Sequence, residues 1–485
     1  MTLQDVLQST LAILPLAALV AWTTLLVLVD LFIPSERKWL TALLAALGLV
    51  VSLALTLVVA GSQQVAFNGM VVMDGFAIFL QVLFLGSGLL AIALAYDYLK
   101  RMEIDRSEYY ILLLYSICGM MLMSMAADLI VVFLALELLS IPLYVLAGFA
   151  RPRTDSEEAS LKYFLLGAFA GGFVVYGVAL VFGATGTTAL AGVVAAIDSG
   201  AANLTLLAVG AALILVGLGF KVAAVPFHMW TPDVYEGSPT SITAFMSVGA
   251  KAGGFAALLR VFVIAFPALA LDLTPILWVL SALTMILGNL VAITQRDIKR
   301  MLAYSSIAHA GYILMAIVPY GNPEVSSDAV SAALFYLVAY ALTSFGAWAV
   351  VIALERAGHQ GLMLDDYAGL SRKYPLLAAA MTVFMLSFTG VPPTIGFVGK
   401  FYLFRSVIEG GFIGLAIIGV LTSLVSAYYY LRLVVIMYMR EGEPQVYNDT
   451  WVNLTAGGTA VATVALTVFA APLFAWASQA VLTMF

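Results

Sequence analysis

The sequence predicts an all-α polytopic membrane protein of about fourteen transmembrane helices, two of them interrupted along their length. Three observations carry this. The chain is 63% hydrophobic and only 10% charged, whereas a soluble domain carries about 25% charged residues. Its apolar runs are unbroken over about 20 residues, which excludes a β-barrel, whose strands alternate with period two. The loops between the runs sort by charge, the asymmetry that membrane insertion imposes. The formal net charge of −6 matters less than where the charges lie.

In chain order, the spans fall near 10–33, 39–60, 75–96, 109–126, 128–150, 159–183, 204–230, 240–266, 274–294, 301–319, 328–354, 375–408, 411–439 and 455–482. The first run has full span length and no basic segment before it, so it reads as a retained helix rather than a cleaved signal. One set of loops collects Arg37, Lys38, Lys100, Arg101, Arg106, Arg151, Arg153 and Lys162. The same set continues with Arg296, Lys299, Arg300, Arg356, Arg372, Lys373 and Arg440. Loops 61–74, 184–203, 267–273 and 320–327 contain no Lys or Arg. The positive-inside rule then places the basic loops in the cytoplasm and both termini outside, which an even span count requires. Loop 231–239 is the exception, acidic through Asp233 and Glu236.

Two spans are long and punctuated. Span 204–230 holds Lys221 and then Pro226; span 375–408 holds Thr389-Gly390-Val391-Pro392-Pro393 and then Lys400. Proline removes a backbone donor and clashes with the preceding turn. Non-helical backbone at membrane depth is tolerated only against protein or a water-filled cavity. Paired interruptions of this kind point to an ion pathway in a repeat fold. The layout reads as a three-helix segment (1–108), two five-helix repeats (109–266 and 267–440) with a break in the fourth helix of each, and a C-terminal helix (441–485).

Glu137, Lys221, Lys251 and Lys400 lie inside apolar spans. A charge at the bilayer centre costs roughly 2.5–3.5 kcal/mol on insertion scales, so such residues are read first as functional. One acid and three amines suit a relay of proton stations. Lysine can release its proton, whereas arginine stays charged. The alternative is a static interhelical ion pair for Glu137 and Lys400, snorkelling to the interface for Lys221, and tight packing by its small neighbours for Lys251. Around Lys251, Gly249, Ala250, Ala252, Gly253 and Gly254 leave room for water or for tight packing. Lys162 stands near the start of its helix, either tuning Glu137 or anchoring the interface. His228 and His309 are candidate bridges between stations, because imidazole shuttles protons near neutral pH; packing is the alternative for both. Asp233 is expected to cap the following helix, with proton intake as the alternative. Arg260, Arg405 and Arg432 lie nearer span ends, where snorkelling or ion pairing is expected. The glycine-rich run from Gly167 to Gly177 reads as helix packing, without the context of a nucleotide loop. Cys118 alone can form neither an internal disulfide nor an iron–sulfur site, and His228, His309 and His359 show no haem-ligand pairing. The chain is therefore expected to hold no cofactor or metal.

The run from Phe220 to Pro239, ending Trp230-Thr-Pro-Asp-Val-Tyr-Glu-Gly-Ser-Pro239, resembles the antiporter-like membrane subunits of respiratory complex I, the proton-pumping NADH:quinone oxidoreductase. Its form is most similar to the subunit N branch. The runs Asp297 to Tyr312 and Leu136 to Pro142 fit the same family, and the similarity covers essentially the whole chain. The resemblance implies two inverted five-helix repeats with discontinuous seventh and twelfth helices. It implies a functional glutamate on helix 5 and lysines on helices 7, 8 and 12, which Glu137, Lys221, Lys251 and Lys400 match in turn. A sister branch continues into a long lateral helix; this sequence stops at Phe485, which speaks against that branch. The function implied is proton translocation in a bacterial inner membrane, driven by electron transfer in other subunits that carry FMN, iron–sulfur clusters and quinone. The expected partners are other membrane-arm subunits, lipid, water and protons, with no nucleic acid. A cation/proton antiporter and a non-conducting scaffold are the competing readings.

Overall fold

A bilayer offers no water to backbone N–H and C=O groups, so apolar runs must satisfy them internally as helices. The computed structural model describes residues 3–480 apart from Ser62 and His359; the end of the last predicted span and Phe485 lie outside the described residues. Helices α1 (Leu3–Asp30), α2 (Trp39–Val58) and α3 (Gly75–Arg101) come first. Between α2 and α3 runs an antiparallel hairpin, β1 (Gln64–Ala66) and β2 (Val71–Met73), with Gln64 opposite Met73.

Next come α4 (Glu108–Met125), α5 (Leu129–Ala147), α6 (Thr154–Thr185), the short α7 (Leu190–Asp198), α8 (Leu204–Val222) and α9 (Trp230–Gly237). They are followed by α10 (Thr240–Phe245) and α11 (Lys251–Ala265), joined by one π-helical turn, Met246–Ala250. After these come α12 (Ala270–Thr294), α13 (Ile298–Met315), α14 (Ser326–Leu354), the short α15 (Leu370–Lys373), α16 (Pro375–Thr389), α17 (Ile395–Glu409) and α18 (Ile413–Met439). The last described helices are α19 (Thr450–Val468) and α20 (Ala470–Gln479).

Helix starts follow from local chemistry. Asp74, Asp128, Asn203 and Asp297 each accept a hydrogen bond from a backbone N–H of the first turn of α3, α5, α8 and α13. Such a cap satisfies a donor that the helix itself cannot. Helix pairs close where side chains vanish: a Cβ on Gly177 would lie 2.7 Å from the Gly210 carbonyl, and one on Gly210 would lie 2.9 Å from the Gly177 carbonyl. Helices α6 and α8 therefore touch backbone to backbone, as the reading of the Gly167–Gly177 run expects.

Among the described residues, 12 helices are long and apolar enough to cross a membrane. Two of the predicted spans fall outside that group. Helix α13 has 18 residues but opens with Lys299 and Arg300, and span 375–408 is split into α16 and α17 of 15 residues each. Three further details differ from the sequence reading. The last span is two helices parted at Phe469, span 240–266 contains the π turn, and loops 61–74 and 184–203 contain the hairpin and α7.

The most enclosed spans are Thr240–Ala265 and Ser326–Leu354, 94% and 89% buried over their most apolar stretch. Lys251 therefore stands at the centre of the molecule. The outer surface is apolar where α6 presents Leu161, Phe164, Phe169 and Tyr176, as a face toward lipid requires.

Candidate proton-transfer site

Glu137 lies one turn before Ser140 on α5, half-buried against α6, where a Cβ on Gly171 would come within 2.9 Å of its Oε1. Lys221 is buried at the end of α8 and donates to Ser140 Oγ at 2.8 Å and to Tyr163 OH at 2.9 Å. It thus docks on the helical turn next to Glu137, without a direct ion pair between the two. Tyr163 is fixed in turn: it stacks on Trp230 at 4.5 Å and 7° and meets the edge of Tyr144 at 4.7 Å. Trp230 opens α9, and its Nε1 donates back to the Phe220 carbonyl at 3.0 Å. The residues on both sides of the break therefore grip one tyrosine. Helix α8 ends at Ala223 in the left-handed region (φ 63°), a conformation costing roughly 1–2 kcal/mol for a residue with a Cβ. Val225 N–H donates to Thr284 Oγ1 on α12 at 2.9 Å, anchoring the non-helical segment.

Lys251 follows the π turn directly and is buried. Its Nζ donates to the Ser306 carbonyl and to Ser306 Oγ, both at 2.5 Å. One turn along α13, His309 is buried between two phenols, with Nδ1 2.7 Å from Tyr336 OH and Nε2 3.1 Å from Tyr430 OH. Tyr430 also shares a hydrogen bond with Ser305. Two hydrogen-bonded groups, Lys251 with Ser306 and Ser305 with Tyr430, His309 and Tyr336, thus lie side by side along α13 toward α18.

Lys400 lies on α17, just past the second break, and reaches back across it. Its Nζ donates to the carbonyls of Phe388 (2.8 Å) and Thr389 (3.0 Å) at the end of α16, and to Ser423 Oγ on α18 (2.7 Å). The same amine sits 4.7 Å above the Tyr312 ring, and Phe388 stacks on Tyr430 at 5.4 Å. Lys400 and His309 therefore share a wall. Both break lysines use the negative end of a half-helix: Lys221 from within the last turn of α8, Lys400 by binding the last carbonyls of α16.

All hydrogen-bond partners of the three amines among the described residues are neutral hydroxyls or carbonyls. Among the described residues, neither Glu137 nor Lys400 forms the static ion pair weighed as its alternative, and Lys221 is buried rather than snorkelling. Ser140, Tyr163, Ser306, Ser423, Tyr336 and Tyr430 were not singled out from the sequence; a hydroxyl in an apolar span is too common to stand out.

Lys162 sits at the rim. It bonds Glu158 Oε1 and Asp233 Oδ2, each at 2.7 Å, and its side chain is 40% exposed. Asp233 does not cap the next helix, because it lies inside α9 and bridges Lys162 to Arg300 at 3.0 Å; Arg300 also holds Glu236. Burial alone would raise the Asp233 carboxyl, but the bonds from Lys162 and Arg300 outweigh it and hold the group below its ordinary value. His228 occupies the turn between α8 and α9, its Nδ1 buried without a hydrogen-bond partner among the described residues. Arg260 does not snorkel: it is fully buried and paired through two nitrogens with Asp74 at 2.8 and 2.9 Å. Arg405 pairs with Glu409 at the surface, and Arg432 donates to the carbonyls of Ile293 and Gln295. Lys299, counted among the cytoplasmic loop charges, is wholly buried in the first turn of α13.

Residues 126–426, which contain all four deep charges, match the family described as NADH:quinone oxidoreductase/Mrp antiporter, TM. Over 476 residues the chain is 48% identical to NADH-quinone oxidoreductase subunit N of Chloroflexus aggregans, covering 97% of this chain and 96% of the relative. The chain belongs to the NADH-quinone oxidoreductase subunit N family. Subunit N of Trichlorobacter lovleyi is 49% identical over 432 residues, 89% of this chain and 87% of the relative. Among solved structures, a chain of respiratory complex I from Thermus thermophilus superposes with a TM-score of 0.83 at 38% identity, covering 96% of this chain and 99% of the other. A chain of the Mrp complex from Dietzia sp. superposes at 0.84 with 21% identity, over 98% and 97% of the two chains, and shares the fold. Membership of the subunit N family agrees with the motif reading of Phe220–Pro239, and the fold is the all-α polytopic one that composition and span length predict.

Proposed function

We propose that this chain is a proton-translocating membrane subunit of an NADH:quinone oxidoreductase, working beside other membrane-arm subunits. Electron transfer belongs to the partner subunits that hold FMN, iron–sulfur clusters and quinone. The reading rests on one observation: three separated buried lysines, each held by neutral groups only, with hydroxyls and an imidazole between two of them. A lysine locked to a carboxylate is committed to its charge. A lysine held by hydroxyls and carbonyls can give up its proton without leaving an acid unpaired.

Glu137 biases Lys221 through the turn that also carries Ser140. Lys251 receives the proton at the centre, and the series Ser306, His309 and Tyr430 leads toward Lys400, which releases it. Moving one charge against 100 mV costs about 2.3 kcal/mol. A hydrogen bond to a charged group contributes roughly 1.5–3 kcal/mol. Making or breaking one such bond per station is therefore of the right size to drive the step. In this reading Lys162, with Asp233 and Arg300, holds α6, α9 and α13 together at the rim, and His228 lines the first break. The division into repeats at 109–266 and 267–440, the placement in a bacterial inner membrane and the outward orientation of both termini belong to the same proposal.

The test is the proton-to-electron stoichiometry of the assembled complex in sealed vesicles. Lys221→Ala and Lys400→Ala should each lower pumping and coupled turnover. Unchanged stoichiometry in both rejects their assigned roles, and loss of assembly with normal flux in the surviving particles supports a scaffold instead.

A further inference from the structure

A second buried polar cluster lies outside the series of stations. Lys299 and Glu355 are 0% and 1% exposed, on α13 and just past the end of α14. They lie within electrostatic reach of one another without forming a salt bridge. Lys299 Nζ donates to the Ser238 carbonyl at 2.7 Å. Glu355 Oε1 accepts from Tyr98 OH at 3.3 Å, and Tyr98 OH accepts from Thr240 N–H at 3.0 Å.

Several polar atoms of this cluster lack a protein partner. Glu355 Oε2, Tyr367 OH and Ser238 Oγ are all buried with no hydrogen-bond partner among the described residues, and Lys299 uses one of its three donors. A buried polar group left without a partner is destabilising, the more so when charged. Several of them around one pair of opposite charges mark a place that internal water completes.

The placement joins this cluster to both the surface and the centre. Leu354 and Arg356, the chain neighbours of Glu355, and Asp366, the neighbour of Tyr367, line a surface cavity of about 150 Å³. Inward, Lys299 and Ser306 stand seven residues apart on α13, two turns and about 10 Å along one face. Ser306 holds Lys251. The phenols of Tyr235 and Tyr340 also face the Ser306 hydroxyl, and Tyr235 is three residues before Ser238.

We infer that Lys299 and Glu355 form a buried, water-bridged proton-loading pair on the side of the basic loops, supplying Lys251 along α13. The inference rests on the proton-translocating reading above. Glu355 takes a proton from the surface side, the bridging water carries it to the Lys299 amine, and it passes along the Tyr235–Ser306 wall to the Lys251 amine. Asp297, Arg153 and Asp155 are the other charges that act on Lys299.

The experiment uses the assembled complex in sealed vesicles and follows NADH-driven pumping and quinone reduction. Glu355→Gln should lower both about tenfold, as a shift of one pKa unit (~1.4 kcal/mol) would, and Glu355→Asp should restore most of the loss. Lys299→Arg is the decisive variant. It keeps the charge and the bond to Ser238 but cannot release a proton, so a purely structural role predicts rescue and a loading role predicts loss. Wild-type pumping in Lys299→Arg overturns the inference. Lys251→Ala is measured alongside: if it also pumps normally, the translocation reading itself fails, whereas loss in Lys251→Ala alone rejects only the loading pair. If the variants do not assemble, a high-resolution map of the native complex decides. Ordered waters joining Glu355 Oε2, Tyr367 OH and Ser238 Oγ support the inference, and dry packing among them overturns it.

Discussion

Arg260 and Asp74 face each other with no solvent exposure on either side chain. Removing one member of a buried pair leaves the other charge uncompensated, at about 3–5 kcal/mol. Arg260→Met should therefore lower the unfolding temperature and yield of the complex, and Asp74→Asn in the same chain should recover part of the loss; additive losses in the double variant would show that the pair does not act as a unit. Lys221 is under lighter restraint, with two neutral partners. Tyr163→Phe deletes one of them, the hydroxyl, and leaves the ring to stack on Trp230. Coupled turnover should fall, though less than in Lys221→Ala, because Ser140 remains. At the rim, the Asp233 carboxyl sits below its ordinary value of 3.8. A lowered folded-state value means that its contribution is complete above about pH 3.8 and is lost only as pH falls through the lower value. The Lys162–Asp233–Arg300 cluster therefore persists across the physiological range, and a pH sensor for pumping must lie elsewhere.

The two breaks use different chemistry for one purpose. Helix α8 turns left-handed at Ala223 and α16 at Gly390, with φ of 63° and 87°. At Gly390 a Cβ would also lie 2.9 Å from Lys400 Cδ. Gly390→Ala thus combines a backbone cost of about 1–2 kcal/mol with displacement of the lysine stem. It should reduce coupled turnover while the complex still assembles, and normal turnover would show that the Lys400 position tolerates movement. The breaks were legible in the sequence because proline and glycine interrupt a helix by known sterics. The π turn before Lys251 was not. Nothing in Met246 to Ala250 forbids an α-helix; the π turn joins two segments, α10 and α11, that pack among α3, α4 and α14.

Across the whole molecule, charge sorting among the loops makes a claim that labelling can check. Cys118 is buried, so introduced cysteines are read against little background. A membrane-impermeant maleimide should label Ala201→Cys in intact cells and Glu441→Cys only in inverted vesicles, since the proposed orientation puts these two exposed positions on opposite sides of the bilayer. The reverse pattern would invert the proposed orientation and with it the direction of intake. The apolar spans and the two interruptions were readable from the chain, because each depends on local composition against a solvent that permits few alternatives. The same holds for the four deep charges, which stand out against apolar neighbours in their own spans. Their surroundings were not readable. That Lys221 rests on Ser140 and Tyr163, that Ser306 holds Lys251 and that α16 carbonyls hold Lys400 depends on which helix faces which, and no local pattern encodes it. The charges near helix ends show the same limit most sharply. Lys299 and Arg300 are consecutive in one basic loop motif, yet helical geometry turns Lys299 into the interior and Arg300 to the rim. Arg260 is buried outright because Asp74, 186 residues away in sequence, arrives beside it. Composition and periodicity thus determined that this is a membrane bundle with charges in its spans, whereas helix packing alone decided which of those charges meet neutral hydrogen-bonding groups and which meet an opposite charge, since that depends on contacts between segments far apart in the chain.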